Sequence, residues 1–177
     1  MRPSDLPAMP RPANGRHYEL SRGELLVVGN AGSRHERAKR RMMKALVLFA
    51  ERHPIGEVYV ESQFTLSPDT VRIPDVAFVA SGKVASEPED DSPIPFSPDL
   101  AIEIVSTSER AADSEDKVQQ YLAAGTAEVW QVYLNQELVR VRTRAGSRDV
   151  LSGQILDSSV LPGFSVAVES FFANPVV

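Results

Sequence analysis

Three side chains in this sequence have the types that handle a phosphate and a hard cation: Asp75 in RIPDVAFV, Glu103 in DLAIEIVS, and Lys117 on the segment that follows. DLAIEIVS alternates, with Leu100, Ile102 and Ile104 on one face and Asp99, Ala101 and Glu103 on the other. A strand apolar on both flanks reads as central to a sheet. A carboxylate there costs several kcal/mol unless it is paired or bound to a metal. A structural ion pair, or the exposed face of a one-sided strand, accounts for Glu103 equally well at this point. Asp75 opens another apolar strand, but a proline before an acid is also ordinary turn chemistry. Asp99 is a rival carboxylate, also preceded by proline, and its place at the mouth of its strand suits a loop role. Lys117 shares a helical stripe with Gln120, Tyr121 and Ala124, so it need not point outward, although helix lysines usually do.

Together the three define a chemistry that none defines alone. Two carboxylates on adjacent strands and one ammonium suit Mg²⁺ or Mn²⁺, which keeps several waters and borrows substrate phosphate oxygens. Such an ion acidifies a bound water and offsets charge on a phosphate, and a nearby lysine can orient or deprotonate the attacking water. Phosphodiester hydrolysis needs that inventory. A two-carboxylate glycoside hydrolase is the weaker fit, because the lysine has no role in it. The three histidines, His17, His35 and His53, lack the close pairing of a zinc helix motif. No phosphate-loop, dinucleotide or G-x-S-x-G pattern is present either.

These residues need elements to position them. YELSRGELLVVG reads as a tight hairpin around Ser21 to Gly23, with Glu24, Leu26 and Val28 on one face of its second strand. Ser33 can cap a helix to about Arg52, whose apolar positions Ala38, Met42, Ala45, Leu46 and Phe49 recur at three and four. EVYVESQFTL and VRIPDVAFVA read as two strands joined through SPDT. Ser81 to Pro98 is a long loop rich in proline and acid, including EPEDD at 87–91, and loops of this kind tend to be mobile or functional. After the Glu103 strand, a helix from about Ser108 to Ala124 stops at Gly125. AEVWQVYL and ELVRVRTR form a hairpin around Asn135-Gln136, with a short strand near Asp149 to Leu151 and a tail through VLPGFSVAVESFF. The expectation is a mixed α/β or α+β domain, its central sheet flanked by two main helices.

The chain has 177 residues, 42% hydrophobic and 24% charged, within the range of one ordinary globular domain. A chain of this size buries roughly 70% of its unfolded surface, so folding requires neither metal nor disulfide. There is no cysteine, which excludes thiol chemistry and fits a reducing, cytoplasmic setting. Residues 1–17 read as a flexible, proline-rich arm, not a secretion signal, and 18–177 as one domain. No apolar run approaches membrane-spanning length. The net charge of −5 argues against nonspecific coating of nucleic acid. Yet Arg34, Arg37, Lys39, Arg40, Arg41 and Lys44 make a local basic face that could meet a nucleic acid or merely be solvated. Arg140, Arg142 and Arg144 alternate on one strand in the manner of a solvated sheet face.

YELSRGELLVV, SRHERAKRRMMKAL, RIPDVAFV, SPDLAIEIVSTSER and DKVQQYLAAGTAEVWQV, in that order, carry a resemblance. The chain resembles a bacterial restriction-endonuclease-like family, expanded in cyanobacteria, of the PD-(D/E)XK nuclease superfamily, over about Tyr18 to Phe172. The resemblance implies a restriction-endonuclease-like fold with N- and C-terminal hairpins and a metal-dependent endonuclease acting on DNA in the first instance. Asp75 corresponds to the "PD" acid and Glu103 to the "(D/E)" acid, both as ligands of Mg²⁺ or Mn²⁺, with the Ile104 carbonyl as a third ligand. The superfamily lysine belongs at position 105, where this chain has Val105. Lys117 is the family's migrated counterpart. Glu24 and His35 match recurrent positions that form an outer shell, and Asn135 stands where many relatives carry aspartate. The basic helix would contact phosphates, and a homodimer would follow the habit of related nucleases that cut both strands. The alternative is a catalytically silent module of the same fold, binding nucleic acid or a protein partner.

Overall fold

The computed structural model describes residues 1–173 other than 11, 14, 15, 30, 31, 87, 89, 91, 107 and 108. Its centre is a six-stranded mixed sheet in the order β10-β9-β8-β7-β6-β3. The strands are β3 (Gly56–Val60), β6 (Val76–Ala80), β7 (Leu100–Val105), β8 (Glu128–Tyr133), β9 (Leu138–Thr143) and β10 (Gly146–Leu151). Only β7 and β8 run parallel, and α3 (Ala111–Ala124) makes the crossover between them. Gly125 ends α3 in the left-handed region, at φ 106°, where a side chain would be strained. The start expected for this helix, near Ser108, lies outside the described residues.

Alternation along β7 decides which helix each side chain meets. Leu100, Ile102 and Ile104 join Ala38, Met42 and Leu46 of α1 (Ser33–Ala50) in the main core, together with Val76, Phe78, Trp130 and Val132. The opposite face sends Ala101 against Val118, Tyr121 and Leu122 of α3. Glu103, two residues on, points the same way as Ala101. The sheet is thus covered by α1 on one side and α3 on the other, and Glu103 faces α3 by strand geometry alone.

The N-terminal hairpin, β1 (His17–Ser21) and β2 (Glu24–Val28), does not extend the central sheet. It builds a second, four-stranded sheet in the order β2-β1-β5-β4. Here β4 (Phe64–Ser67) and β5 (Thr70–Arg72) hairpin through Pro68-Asp69. The two long strands expected across 57–80 are therefore four short ones. Glu61, at φ 50°, turns the chain out of the central sheet, and Ile73-Pro74-Asp75 returns it. A period-2 pattern cannot reveal such a change of sheet, because both halves still alternate. Gly32 takes the N-cap position of α1, and Ser33 is its first helical residue and not its cap.

The start of the chain forms a 3₁₀ turn, Pro3–Ala8, whose Leu6 is buried against Leu20 and Val71. The described part of the 81–98 loop lies over β6. The short helix α2 (Ser81–Val84) begins it, and Ile94 bridges to Phe64 and is buried beside Ala77 and Val79. Its Glu87, Glu89 and Asp91, three of the four acids of EPEDD, are outside the described residues. The C-terminal hairpin pairs β11 (Ile155–Asp157) with β12 (Ser165–Ala167), and α4 (Glu169–Phe172) follows. No described helix is long and apolar enough to cross a membrane.

Candidate active site

Where β6 and β7 meet the N-terminal ends of α1 and α3, the surface opens into a cleft of about 750 Å³. His35, Asp75, Glu103, Ile104, Glu109 and Lys117 are among its lining residues. Glu103 reaches the cleft from the α3 face of β7, and one helical turn of α3 supplies both of its polar neighbours. Tyr121 donates its hydroxyl to Glu103 Oε1 at 2.8 Å, and Lys117 Nζ stands 3.7 Å from Glu103 Oε2.

Lys117 is surrounded by acid. Its ammonium lies 3.7 Å from Glu109 and 3.9 Å from Glu19, as well as 3.7 Å from Glu103. The charge of Glu103 raises the lysine pKa against the opposing effect of burial, and Glu19 and Glu109 add to it. Glu103 shifts in the other sense for a carboxylate. Its pKa is pushed up to about 7, by burial first and then by the negative charges of Asp75 and Glu19, against the pull of Lys117 and the Tyr121 hydrogen bond. One ammonium does not offset the carboxylates gathered here.

Asp75 sits just before β6, beside the end of β7. Its Oδ2 accepts the main-chain N–H of Ile104 at 2.7 Å and stands 3.3 Å from Nε2 of His35 on α1. Burial pushes the His35 pKa down, but the hydrogen bond and charge of Asp75 outweigh it and leave it raised. Asp99, the rival carboxylate, is at the other end of β7, where it binds Lys83 at 2.7 Å and caps the Ala80 N–H.

Glu24, expected in an outer shell of the site, stands apart from the cleft. Glu24 opens β2, is exposed, and is not among the residues that line the cleft. Glu19 of β1 is buried instead, with Oε2 at 2.7 Å from Arg72 and Oε1 accepting the Ile73 N–H. Arg72 also donates to Gln120 of α3 and to Ser21, which ties the small sheet to the helix carrying Lys117. Two signals in the sequence pointed to Glu19: an acid flanked by Tyr18 and Leu20, and an arginine inside the short apolar run TVRI.

The basic cluster of α1 divides in two. Lys39 is largely buried in the wall of the cleft, where it bridges Glu36 at 2.8 Å and Glu61 at 2.6 Å and is already paired with two carboxylates. Its position on α1 faces the core side with Met42 and Leu46. Arg34, Arg37, Arg40, Arg41 and Lys44 fall on the outer arc. Arg34 reaches Asn135 and the Leu134 carbonyl at the cleft rim. The alternating arginines of β9 are paired, Arg140 with Asp149 and Arg142 with Glu115.

Among the described residues no three acidic or imidazole side chains converge closely enough to hold a metal by themselves. The residues of the cleft that could hold one are two carboxylates, Asp75 and Glu103, with main-chain oxygen beside them. This set is all oxygen and carries excess negative charge, which fits a hard divalent ion completing its shell with water and phosphate oxygens.

Comparisons with known proteins bear on the family and the fold. A family model described as Uma2, "Putative restriction endonuclease", matches residues 3–169. A crystal structure from Anabaena variabilis ATCC 29413, described as a putative nuclease belonging to DUF820, superposes with a TM-score of 0.83 over 97% of each chain. The two sequences are 14% identical, so this likeness concerns the fold. Comparison with curated proteins gives no match.

Proposed function

This chain belongs to the Uma2 family of restriction-endonuclease-like proteins, and from that premise we propose that it is a Mg²⁺- or Mn²⁺-dependent endonuclease acting on DNA. The observation that carries the proposal is the meeting of Asp75, Glu103 and Lys117 in one cleft, from β6, β7 and α3. Asp75 and Glu103, with the Ile104 carbonyl, would hold the cation. Once bound, it would acidify a water and offset charge on the scissile phosphate. His35 and the Ile104 N–H fix the Asp75 carboxylate in place, and Tyr121 does the same for Glu103. Lys117, whose ammonium is favoured by the carboxylates around it, would donate a hydrogen bond that orients a water or steadies a phosphate oxygen. The exposed cations of α1 would meet the DNA backbone, and two copies of the chain would serve to cut both strands.

The second reading is a silent nuclease-like module, favoured by the number of carboxylates that already surround Lys117. Nicking of supercoiled plasmid in Mn²⁺ separates the two. The enzyme loses nicking in Asp75→Ala and Lys117→Ala while circular dichroism shows both folded. If purified wild type cuts nothing under these conditions, or the variants cut equally well, the enzymatic reading fails.

A further inference from the structure

Beside the large cleft, between α1 and the C-terminal segment, lies a smaller groove of about 190 Å³ lined by Arg34, Arg37, Arg41, Glu137 and Phe172 among others. Arg34 and Leu134 line both cavities, so the groove continues the cleft along α1. The three arginines recur at three and four residues and share one stripe of the helix. Neither anchored guanidinium is held by a carboxylate. Arg34 binds the Leu134 carbonyl at 3.0 Å and the Asn135 side-chain oxygen at 3.1 Å, and Arg41 binds the Phe171 carbonyl at 3.2 Å. Arg37 has no hydrogen bond or ion pair among the described residues. Elsewhere Arg22, Arg72, Arg140, Arg142 and Arg148 each hold a carboxylate.

We propose that this groove is a phosphate-tracking site that leads the DNA backbone out of the catalytic cleft along one side of α1. The proposal rests on the nuclease reading and assigns its DNA path. Neutral oxygens aim two of the guanidinium groups without neutralising them, so among the described lining residues three positive charges face one acid, Glu137, and a forked donor suits a phosphate. It also separates the members of the basic cluster by role. Arg34, Arg37 and Arg41 contact phosphate, whereas Lys39 is already held by Glu36 and Glu61.

Fluorescence anisotropy with a labelled DNA duplex, in Ca²⁺ to hold back cleavage, tests it across a salt series. Wild type should bind with a negative salt slope. Arg37→Ala should weaken binding about five- to tenfold near 0.1 M salt and reduce the slope by about one, for duplexes of any sequence. Arg37→Lys should restore most of the slope. Arg148→Ala, a surface cation of the edge strand β10 held by Asp157, should change neither quantity. An unaltered slope in Arg37→Ala while wild type binds overturns the groove and leaves the nuclease reading standing, as does an equal loss in Arg148→Ala. Wild type that binds no DNA at all overturns both.

Discussion

Lys117 and Glu103 belong to successive elements, α3 and β7, and meet with 3.7 Å between ammonium and carboxylate. Yet the carboxyl titrates high, at about 7, because burial together with Asp75 and Glu19 outweighs the lysine. The pair is not a simple stabilising salt bridge. It concentrates negative charge that either a proton on Glu103 or a further cation would relieve.

The first prediction concerns the metal-free protein. A carboxyl whose folded pKa is raised from 4.5 to about 7 makes its full contribution to stability below the unfolded value and loses it as pH rises through the folded one. In EDTA, the melting temperature should therefore fall between about pH 4.5 and 7 and change little above. Glu103→Gln keeps an oxygen to accept the Tyr121 hydroxyl and removes the charge. It should lose that part of the slope and melt at or above wild type at pH 8. A variant melting several degrees lower at pH 8 would show that Glu103 is held there as a favourable ion.

A second prediction separates Glu19 from the chemistry. Glu19 and Arg72 are each about 97% or more shielded from solvent, and removal of one partner leaves a buried charge alone. Glu19→Ala should cost about 3–5 kcal/mol in urea unfolding, and replacing both residues by apolar ones should recover much of it. Loss below about 1 kcal/mol would mean that water reaches Arg72.

The convergence of Asp75, Glu103 and Lys117 was legible because short-range rules suffice for most of it. Alternation set the face of Glu103, and the strand-turn-helix unit returned α3 over that face. Glu19 was not legible in the same way. Its partners Arg72 and Lys117 come from distant segments, and an acid in a two-stranded hairpin ordinarily faces water. Only the second sheet, which begins where Glu61 turns the chain, buries it. The same change of sheet hid the breaks in EVYVESQFTL and VRIPDVAFVA. Charge composition carries no information about helix face, so it did not show that Lys39 is buried and paired while its neighbours are not, although its spacing to Met42 and Leu46 did.

Gly56 provides a third prediction, on the fold itself. It pairs with Ala80 at the edge strand β3, and a Cβ there would overlap the Val79 carbonyl and stand 2.5 Å from Phe78 Cζ. Neither group can yield freely, since Val79 is in β6 and Phe78 is in the main core. Gly56→Ala should destabilise by about 1–3 kcal/mol or more. Gly82→Ala, with open space around it, should be neutral or slightly stabilising. Equal melting temperatures for the two variants would contradict this packing.

The last prediction joins metal to proton. Mn²⁺ bound between Asp75 and Glu103 requires both as carboxylates, so a proton held by Glu103 competes with it. Binding only the folded state, the ion should stabilise the protein by about 2.7 kcal/mol at a concentration one hundred times its dissociation constant. The thermal shift caused by a fixed Mn²⁺ concentration should therefore be larger at pH 8 than at pH 6, and calorimetry near pH 6 should detect proton release to buffer. Asp75→Asn and Glu103→Gln should both abolish the shift, whereas Glu24→Gln, on the exposed strand β2, should retain it. A wild-type shift that is independent of pH, or that survives in Glu103→Gln, would place the ion elsewhere on the protein.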